Sequence, residues 1–463
     1  MVLDSLFNAL VDAQIRRILK DPYTDSLVNT ATTIMKVGPR EMLETLMRAQ
    51  QGKALGRPFG SVRRLSPWDR LLLNPTYLTR LPVSHATPID LRVTLGPRAA
   101  KPLQVELPVM VAGMSFGGAL STQAKVALAK GASLVGTATN TGESYLPEER
   151  EAAAKLIIQY IRGTWPHSSQ FRWDLFEKAD AIEIQIGQGA QAGVPQMTSA
   201  EVIHDRMREA YGLGEEDNAL IDAHLKGVRT PEDLKGLVRD LKKEFEVPVG
   251  LKFGATQWLE RELEMALQAE VDFVVPDGAE AGTHAASPTL ADDTGLPTFH
   301  ALVRAARYLE KRGVKKDITL VASGGLTTPG HFLKALALGA DVVYIGTVAV
   351  LAMLADEMAK AAPGEPATQL VLETGSLRRD LDVEAATLNL QRYFMAIREE
   401  LTQGLASLGK IRVQELGRED LVALDDHLAR FAGIPSALSP VSPAEMGQDG
   451  AVAEKILAPE GKG

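Results

Sequence analysis

The chain of 463 residues is long enough for a large core, and its 45% hydrophobic and 24% charged residues are ordinary for a globular protein. The formal net charge of −9 argues against a nucleic-acid-binding protein, because such proteins usually carry a basic surface. The absence of Cys excludes disulfides, thiolate zinc sites, cysteine-ligated iron–sulfur clusters and cysteine nucleophiles.

The first twenty residues predict an amphipathic helix, because apolar residues recur at helical spacing from Leu3 to Leu19. We expect this face to pack on the chain's own core, with a partner or a membrane surface as the alternative. Asp4 and Asp12 interrupt the apolar run, and no basic segment precedes it, so the start is unlike a signal peptide. Since no uninterrupted apolar stretch is long enough for a bilayer, a cytoplasmic protein without a membrane span is expected.

Composition divides the remaining chain into a cap, a main domain and a tail. Residues 1–103 form the first region, which is Pro-rich and of mixed composition from residue 21 onward. We expect this region to cap the main domain rather than fold alone. Residues 104–350 alternate short apolar runs with helical patterns and form the expected main domain. Residues 435–463 are rich in Pro, Gly, Ala and Ser, which predicts a mobile tail.

The main domain is predicted to be a (β/α)8 TIM barrel of the α/β class. Alternating strands and helices indicate a parallel sheet, and eight repeats over about 245 residues match a closed barrel. The alternative, a doubly wound open sheet, needs a nucleotide-binding glycine loop after its first strand, and residues 114–118 lack that spacing. The predicted strands are residues 108–113, 133–139, 156–160, 181–186, 247–252, 271–277, 318–323 and 341–345; the predicted helices include 121–130, 233–246, 260–269, 298–312 and 329–338.

The last two predicted strands end in glycine loops, Ser323-Gly324-Gly325 and Gly346-Thr347. Two adjacent loops with exposed backbone N–H groups and no bulky side chains form a cradle for one phosphate, and in barrels such a cradle follows strands 7 and 8. The plainer alternative is two buried strands with turn glycines.

A third glycine segment, residues 187–193, is one residue too long for a dinucleotide loop, and the eight His residues show no metal-ligand spacing. No metal site is expected.

Polar residues at the predicted strand ends suit a flat, hydrogen-bonding cofactor such as a flavin. A flavin needs small residues on one face, amide side chains at its pyrimidine edge and a cation near N1 and the C2 carbonyl. Lys252 is placed to be that cation; the alternatives are a lysine extending from a strand end and a Schiff-base lysine. The amide- and Thr-rich neighbours favour the flavin.

Short motifs in fixed order resemble the FMN-binding synthase domain of the glutamate synthase family, over about residues 60–422. The resemblance continues after the barrel, where the family has a helical segment. It covers residues 389–408, with Phe394 and Leu401, and residues 415–418. Residues 351–434 are therefore expected to form a helical extension. The motifs that carry the resemblance are 66–73, 78–82, 108–117, 140–143, 184–190, 282–283, 324–326 and 346–347.

This resemblance implies an oxidoreductase that reduces 2-iminoglutarate, made from 2-oxoglutarate and ammonia, by hydride transfer from reduced FMN. Glu143 and Gln196 match family positions near that substrate and, with Lys252, are the expected catalytic residues. The residues expected to contact FMN are Ser115, Asn140, Thr141, Gln159, Lys252, Gly282, Ser323, Gly324, Gly325, Gly346 and Thr347.

Three departures from the family matter. Residues 351–378 contain no Cys, so the family's three-iron cluster cannot be held, and electrons must come from a pyridine nucleotide, a flavoprotein or a ferredoxin. Gln191 stands where the family has Lys, and Val194-Pro195 replaces acidic and glycine residues, which leaves the dicarboxylate substrate in question. No glutaminase domain is expected, so nitrogen would come from ammonia, an amine or a separate amidotransferase subunit. The resemblance is thus to a cysteine-free, stand-alone form.

The leading expectation is an FMN oxidoreductase acting on the C–N bond of an amino or imino acid. One alternative is flavin chemistry on another small molecule, such as a 2-hydroxy acid or an isoprenoid diphosphate; the former usually needs a His with an Arg pair, and His284 has no Arg beside it. Another is a non-catalytic flavin subunit of a larger complex. Association of identical chains is compatible with each alternative.

Overall fold

The structure, a computed structural model, describes residues 2–23, 26–283 and 286–439. Contacts divide the chain into two compact units, with the division between Arg57 and Pro58. The described helices are α1 Val2–Lys20, α2 Leu27–Val37, α3 Pro39–Gln51, α4 Thr122–Leu134, α5 Pro147–Ala152, α6 Asp205–Tyr211, α7 Pro231–Phe245, α8 Leu259–Gln268, α9 Pro288–Asp293, α10 Thr298–Lys311, α11 Pro329–Ala337, α12 Thr347–Met353, α13 Val383–Ser407 and α14 Asp426–Ala432. The described strands are β1 Leu71–Leu73, β2 Val93–Leu95, β3 Leu103–Val105, β4 Val109–Val111, β5 Thr139–Asn140, β6 Leu156–Tyr160, β7 Ala181–Gln185, β8 Gln196–Thr198, β9 Ala219–Ile221, β10 Val249–Gly254, β11 Phe273–Asp277, β12 Thr319–Ser323, β13 Val342–Ile345 and β14 Leu421–Ala423.

The first unit contains three helices, α1 to α3. The predicted N-terminal helix is confirmed as α1. Its described apolar side chains, such as Phe7, Ile15 and Leu19, are exposed. Gly52, with φ +64°, ends α3 in the left-handed conformation that favours glycine. Among the described helices, none combines the length and apolar character needed to cross a membrane.

The second unit is built on an eight-stranded parallel sheet with the order β4-β13-β12-β11-β10-β7-β6-β5. The first two strands of this sheet in chain order, β4 and β5, lie at opposite ends of the sheet order and approach each other, because Val111 N donates to Ala138 O at 3.0 Å. Helices α4, α8, α10 and α11 follow strands of the sheet, as in β/α repeats. The predicted (β/α)8 barrel is confirmed.

The barrel strands are buried on both faces, which explains why they are continuous apolar runs in the sequence. All residues of β6, β7, β11 and β12 are buried. Their register brings strand-end side chains to one level: Lys252 lies opposite Gln185, and Asp277 lies opposite Ser323. The carboxyl ends of neighbouring strands therefore present these side chains together.

One predicted strand, 133–139, is largely wrong. Helix α4 continues to Leu134, because a helical stripe of buried small residues runs as far as Ala132. Gly136, with φ +74°, then reverses the chain, so that only Thr139 and Asn140 form β5.

The helical character expected beyond the barrel is present in α13 and α14. Five side chains of α13 at three- and four-residue spacing are buried, and this helix packs on α4, α11 and α12. Strand β1 pairs with β14, so residues before the barrel pack with residues after it. Most of the predicted tail, residues 440–463, lies outside the described residues, whereas Ala437 N at its start donates to Ala423 O at 2.8 Å. The buried stripe of α13 is Leu390, Phe394, Ile397, Leu401 and Leu405.

Candidate active site

A cavity of about 310 Å³ lies at the carboxyl ends of the barrel strands, within the range of ordinary ligand pockets. Most of the residues predicted from the sequence to form the site line it, whereas Asn140, Thr141 and Gln196 do not. The predicted residues that line the cavity are Ser115, Glu143, Gln159, Lys252, Gly282, Ser323, Gly324, Gly325, Gly346 and Thr347.

The glycine loops after β12 and β13 form one wall of the cavity. Gly324 and Gly325 have φ of +117° and +63°, and a Cβ at Gly324 would lie 2.5 Å from Thr298 Oγ1. Within the described residues, the backbone N–H groups of Gly325 and Leu326 donate to no protein acceptor. At Gly346, in contrast, the nearest atom to a Cβ would be Met114 Sδ at 3.9 Å, so this position opens onto the cavity. Such a wall can receive a phosphate.

A buried carboxylate, Glu183, organises the polar side chains inside the barrel. Its Oε1 accepts from Gln159 Nε2 at 2.7 Å and from Asn140 Nδ2 at 3.0 Å, and its Oε2 accepts from Tyr344 OH at 2.9 Å. Because the amide nitrogen of Gln159 faces the carboxylate, its Oε1 is buried with no partner among the described residues and can accept from a ligand. Sequence analysis missed Glu183; a lone acid within the apolar strand 181–184 was the available signal.

Lys252 is the cation at the base of the cavity. Its Nζ lies 3.5 Å from Asp277 Oδ2, and both side chains are almost fully buried. Burial alone would lower the pKa of Lys252, but the carboxylates of Asp277, Glu183 and Glu143 together raise it above its ordinary value. A Schiff-base lysine needs the opposite shift, so the surroundings favour a permanent cation.

Glu143, which follows β5, is a buried acidic residue in the wall of the cavity. Gln185 Nε2 donates to its Oε1 at 2.9 Å. Burial raises the pKa of Glu143, whereas the charge of Arg162, the hydrogen bond from Gln185 and the charge of Lys252 oppose the rise. The raised pKa favours the protonated form of this carboxyl group, which can then donate a proton.

Gln191 and Gln196 contact each other rather than the cavity. Gln191 Nε2 donates to Gln196 Oε1 at 3.1 Å and to Thr283 Oγ1 at 3.3 Å, and Thr283 lines the cavity. The Gln191 side chain is therefore set back from the cavity behind Thr283, whereas Gln188 of the same loop lines the cavity. Asn140 and Thr141 also act from behind it: Asn140 Oδ1 accepts from Gly142 N at 2.9 Å, and Thr141 Oγ1 accepts from Gln159 N at 3.1 Å.

A buried ion pair, Lys125 with Glu149, supports the first two strand-end loops. Lys125 Nζ lies 2.8 Å from Glu149 Oε1 and donates to the carbonyls of Met114 (2.6 Å), Asn140 (3.1 Å) and Thr141 (3.2 Å). Neither charged side chain is more than 1% exposed. The pair therefore positions the loop of Ser115 beside the loop of Glu143. The spacing of Lys125 and Glu149 in the sequence gave no indication that they would pair.

Glu149 gives the folded chain a specific pH dependence. Burial raises its pKa to about 7 from 4.5, against the opposing charge of Lys125. Because the folded chain binds this proton more tightly than the unfolded chain, the stabilisation is present below the unfolded value and is lost as the pH rises towards 7. Glu149→Gln should remove about 3 kcal/mol of pH-dependent unfolding free energy between pH 4.5 and 7.

Denaturant titrations of both proteins across this range measure the difference. The exposed neighbour Glu151 provides the matched control, since Glu151→Gln should keep the wild-type slope. Parallel pH profiles for wild type and Glu149→Gln would contradict the assignment.

Among the described residues, no group of His, Asp and Glu side chains is arranged to hold a metal ion.

Solved structures share this fold. A Pediococcus acidilactici protein described as a putative lactate oxidase aligns with a TM-score of 0.50 at 15% identity, covering 78% of this chain and 85% of that one. A flavocytochrome b2 variant with pyruvate bound aligns with a TM-score of 0.52 at 16% identity, covering 88% and 86%. At these identities the likeness concerns the fold alone.

Relatives at the sequence level are more informative. A "glutamate synthase large subunit-like protein" of Rhizobium meliloti is 31% identical over 418 residues, covering 85% of this chain and 93% of that protein. An "archaeal-type glutamate synthase [NADPH]" of Thermotoga neapolitana is 28% identical over 427 residues, covering 86% and 83%. The family model for the conserved region in glutamate synthase matches residues 80–411. With most of its length matched in this way, the chain belongs to the glutamate synthase family.

Proposed function

We propose that the chain is an FMN-dependent oxidoreductase that acts on the C–N bond of an amino or imino acid. The observation that carries this proposal is the combination, in one cavity, of a glycine wall, a buried amide acceptor and a buried cation. Gly324 and Gly325 provide the wall, Gln159 the acceptor and Lys252 the cation. Membership of the glutamate synthase family supports the same assignment.

The residues present fit FMN. The phosphate would lie against the glycine loops of residues 324–325 and 346–347, whose N–H groups and small size suit an anion. At the ring, Gln159 Oε1 would accept from an N–H group of the pyrimidine edge, and Lys252 would lie near the atoms that gain negative charge. When bound, FMN supplies hydride transfer. The protein's own residues bind the cofactor and exclude water.

We further propose 2-iminoglutarate, formed from 2-oxoglutarate and ammonia, as the substrate. The names of the Rhizobium and Thermotoga relatives support a glutamate synthase type of reaction. Glu143 is the proposed proton donor to the substrate, because its carboxyl lines the cavity and burial raises its pKa. NADPH, which the name of the Thermotoga relative contains, is the proposed source of electrons, directly or through a partner protein.

The test is a single-turnover experiment. Anaerobic protein with bound FMN is reduced and then mixed with 2-oxoglutarate and ammonium while the flavin absorbance is followed. Return of the oxidised spectrum, together with one glutamate formed per flavin, is expected. A flavin that stays reduced would exclude this substrate, and activity that needs no added protein would exclude a purely non-catalytic subunit.

The departure at Gln191 gives a direct prediction about the substrate. Gln191→Lys restores a cation next to Thr283 and should tighten 2-oxoglutarate binding roughly tenfold, as expected for one charge-assisted hydrogen bond. Titration calorimetry measures the change, with Gln191→Met as the uncharged control. Equal affinities for wild type and Gln191→Lys would mean that this loop does not face the substrate.

A further inference from the structure

Arg162 is a fully buried guanidinium with unused hydrogen-bond donors. It follows β6, at the same end of the barrel as the cavity, and its side chain has no exposed surface. Its Nη1 reaches the carbonyls of Gly193 at 3.4 Å and Ala223 at 3.2 Å. Its Nε and Nη2 have no partner among the described residues. A buried guanidinium is ordinarily paired with an anion, because unpaired charge is costly away from water.

No described carboxylate fills that role. No carboxylate in the described ranges lies within ion-pair distance of Arg162, although Glu143 and Asp222 are near enough for their charges to act on it. Lys252, the other cation near the cavity, already faces Asp277 at 3.5 Å. Among the described residues, the Nε and Nη2 edge of Arg162 therefore carries positive charge with no paired anion.

The position of Arg162 connects it with the loop of residues 191–196. Gly193 lies between Gln191 and Gln196, in the segment where the family's lysine is missing. Ala223 follows strand β9, which pairs antiparallel with β8. The guanidinium thus contacts both the loop that contains Gly193 and the segment that follows β9.

We propose that Arg162 binds a carboxylate of the substrate through Nε and Nη2, and so replaces the cation that Gln191 does not provide. A guanidinium edge matches a carboxylate with two parallel hydrogen bonds, which lysine cannot do. The inference rests on the proposed function in so far as the substrate is a dicarboxylate or a related acid.

Access requires the 192–196 segment to move outward. Val194 and Pro195 are exposed, and Ala192 has a φ of +47°, so the segment is held by little buried surface and one strained residue. Its link to Arg162 is the long 3.4 Å contact at Gly193. A carboxylate that pairs with the guanidinium would offset the loss of that contact.

The experiment is calorimetric titration of the FMN-loaded protein with glutarate, an unreactive dicarboxylate, and with dimethyl glutarate, its uncharged analogue. Arg162→Met should weaken glutarate binding about 10- to 100-fold, the range for losing charge-assisted hydrogen bonds, and leave the weak binding of the diester unchanged. Arg150→Met is the matched control, because Arg150 pairs with Asp180 at the start of β7, the opposite end of the barrel. It should bind glutarate like the wild type.

Wild-type affinity for glutarate in Arg162→Met, or no glutarate binding by the wild type, would overturn the proposal. If Arg162→Met does not fold, Arg162→Lys decides: the loss of paired geometry predicts several-fold weaker glutarate binding, and unchanged affinity overturns it. Failure of the proposed reaction gives a different result. Wild-type protein would then bind glutarate in an Arg162-dependent manner but would not reoxidise with 2-oxoglutarate and ammonium.

Discussion

Lys252→Met is expected to lower the two-electron reduction potential of bound FMN by about 60 mV. Removal of one preorganised donor to developing charge costs ~2.7 kcal/mol, and 1.4 kcal/mol corresponds to about 30 mV for a two-electron couple. The raised pKa of Lys252, produced by Asp277, Glu183 and Glu143 against the effect of burial, ensures that this charge is present at neutral pH. Anaerobic dye-equilibration titration measures the potential.

The same substitution leaves Asp277 without its cation, so stability must be measured separately. Breaking a buried pair costs about 3–5 kcal/mol, and Lys252→Met combined with Asp277→Asn should recover part of that loss while the potential stays low. Lys242→Met is the control: Lys242 pairs with Asp272 at 2.8 Å, at the other end of the barrel, and should not change the potential. An unchanged potential in Lys252→Met would remove the lysine from the flavin site.

Gly346→Ala is expected to weaken FMN binding roughly 10- to 100-fold without unfolding the protein. Among the described residues beyond its chain neighbours, a Cβ at Gly346 meets no atom closer than 3.9 Å, so we expect the fold to tolerate it, but the methyl group would occupy the cavity where the phosphate is proposed to lie. The loss corresponds to charge-assisted hydrogen bonds to the phosphate, each contributing ~1.5–3 kcal/mol. Fluorescence titration of the apoprotein measures the dissociation constant.

Riboflavin, which lacks the phosphate, separates the phosphate site from the ring site. Its affinity should be nearly equal in wild type and Gly346→Ala. Gly236→Ala, in the open surface of α7, is the matched control and should bind FMN normally while gaining about 0.5–1 kcal/mol of stability. Equal losses for riboflavin and FMN would show that position 346 does not face the phosphate. Gly324→Ala is unsuitable, since φ +117° strains any side chain there.

The barrel could be predicted from the sequence because its parallel strands are buried on both faces and end in small residues. The glycine loops at residues 323–325 and 346–347 could also be predicted, because a residue at the carboxyl end of a barrel strand lies at the mouth of the barrel. Lys252 followed from that rule, and the cavity contains it. The misplaced strand at 133–139 arose where a small-residue helix and a strand share an apolar run.

The remaining parts of the site depend on partners that are distant in the sequence. Glu183 receives hydrogen bonds from three other strands, and Lys125 meets Glu149 only after α4 and α5 have packed. Asn140 has the residue type expected of a ligand contact, yet the structure shows it bonded to Glu183 and Gly142 behind the cavity. Polar type at a strand end does not show which way the side chain faces. Three-dimensional packing decides that.

The most direct test of the central claim is to identify what the purified protein binds. The visible absorbance of the native protein is recorded, and the small molecule released by denaturation is identified by chromatography and mass. An oxidised flavin spectrum, with FMN released at one per chain, is the expected result. A colourless protein that does not take up added FMN would contradict the assignment of the glycine wall, Gln159 and Lys252 to one cofactor site.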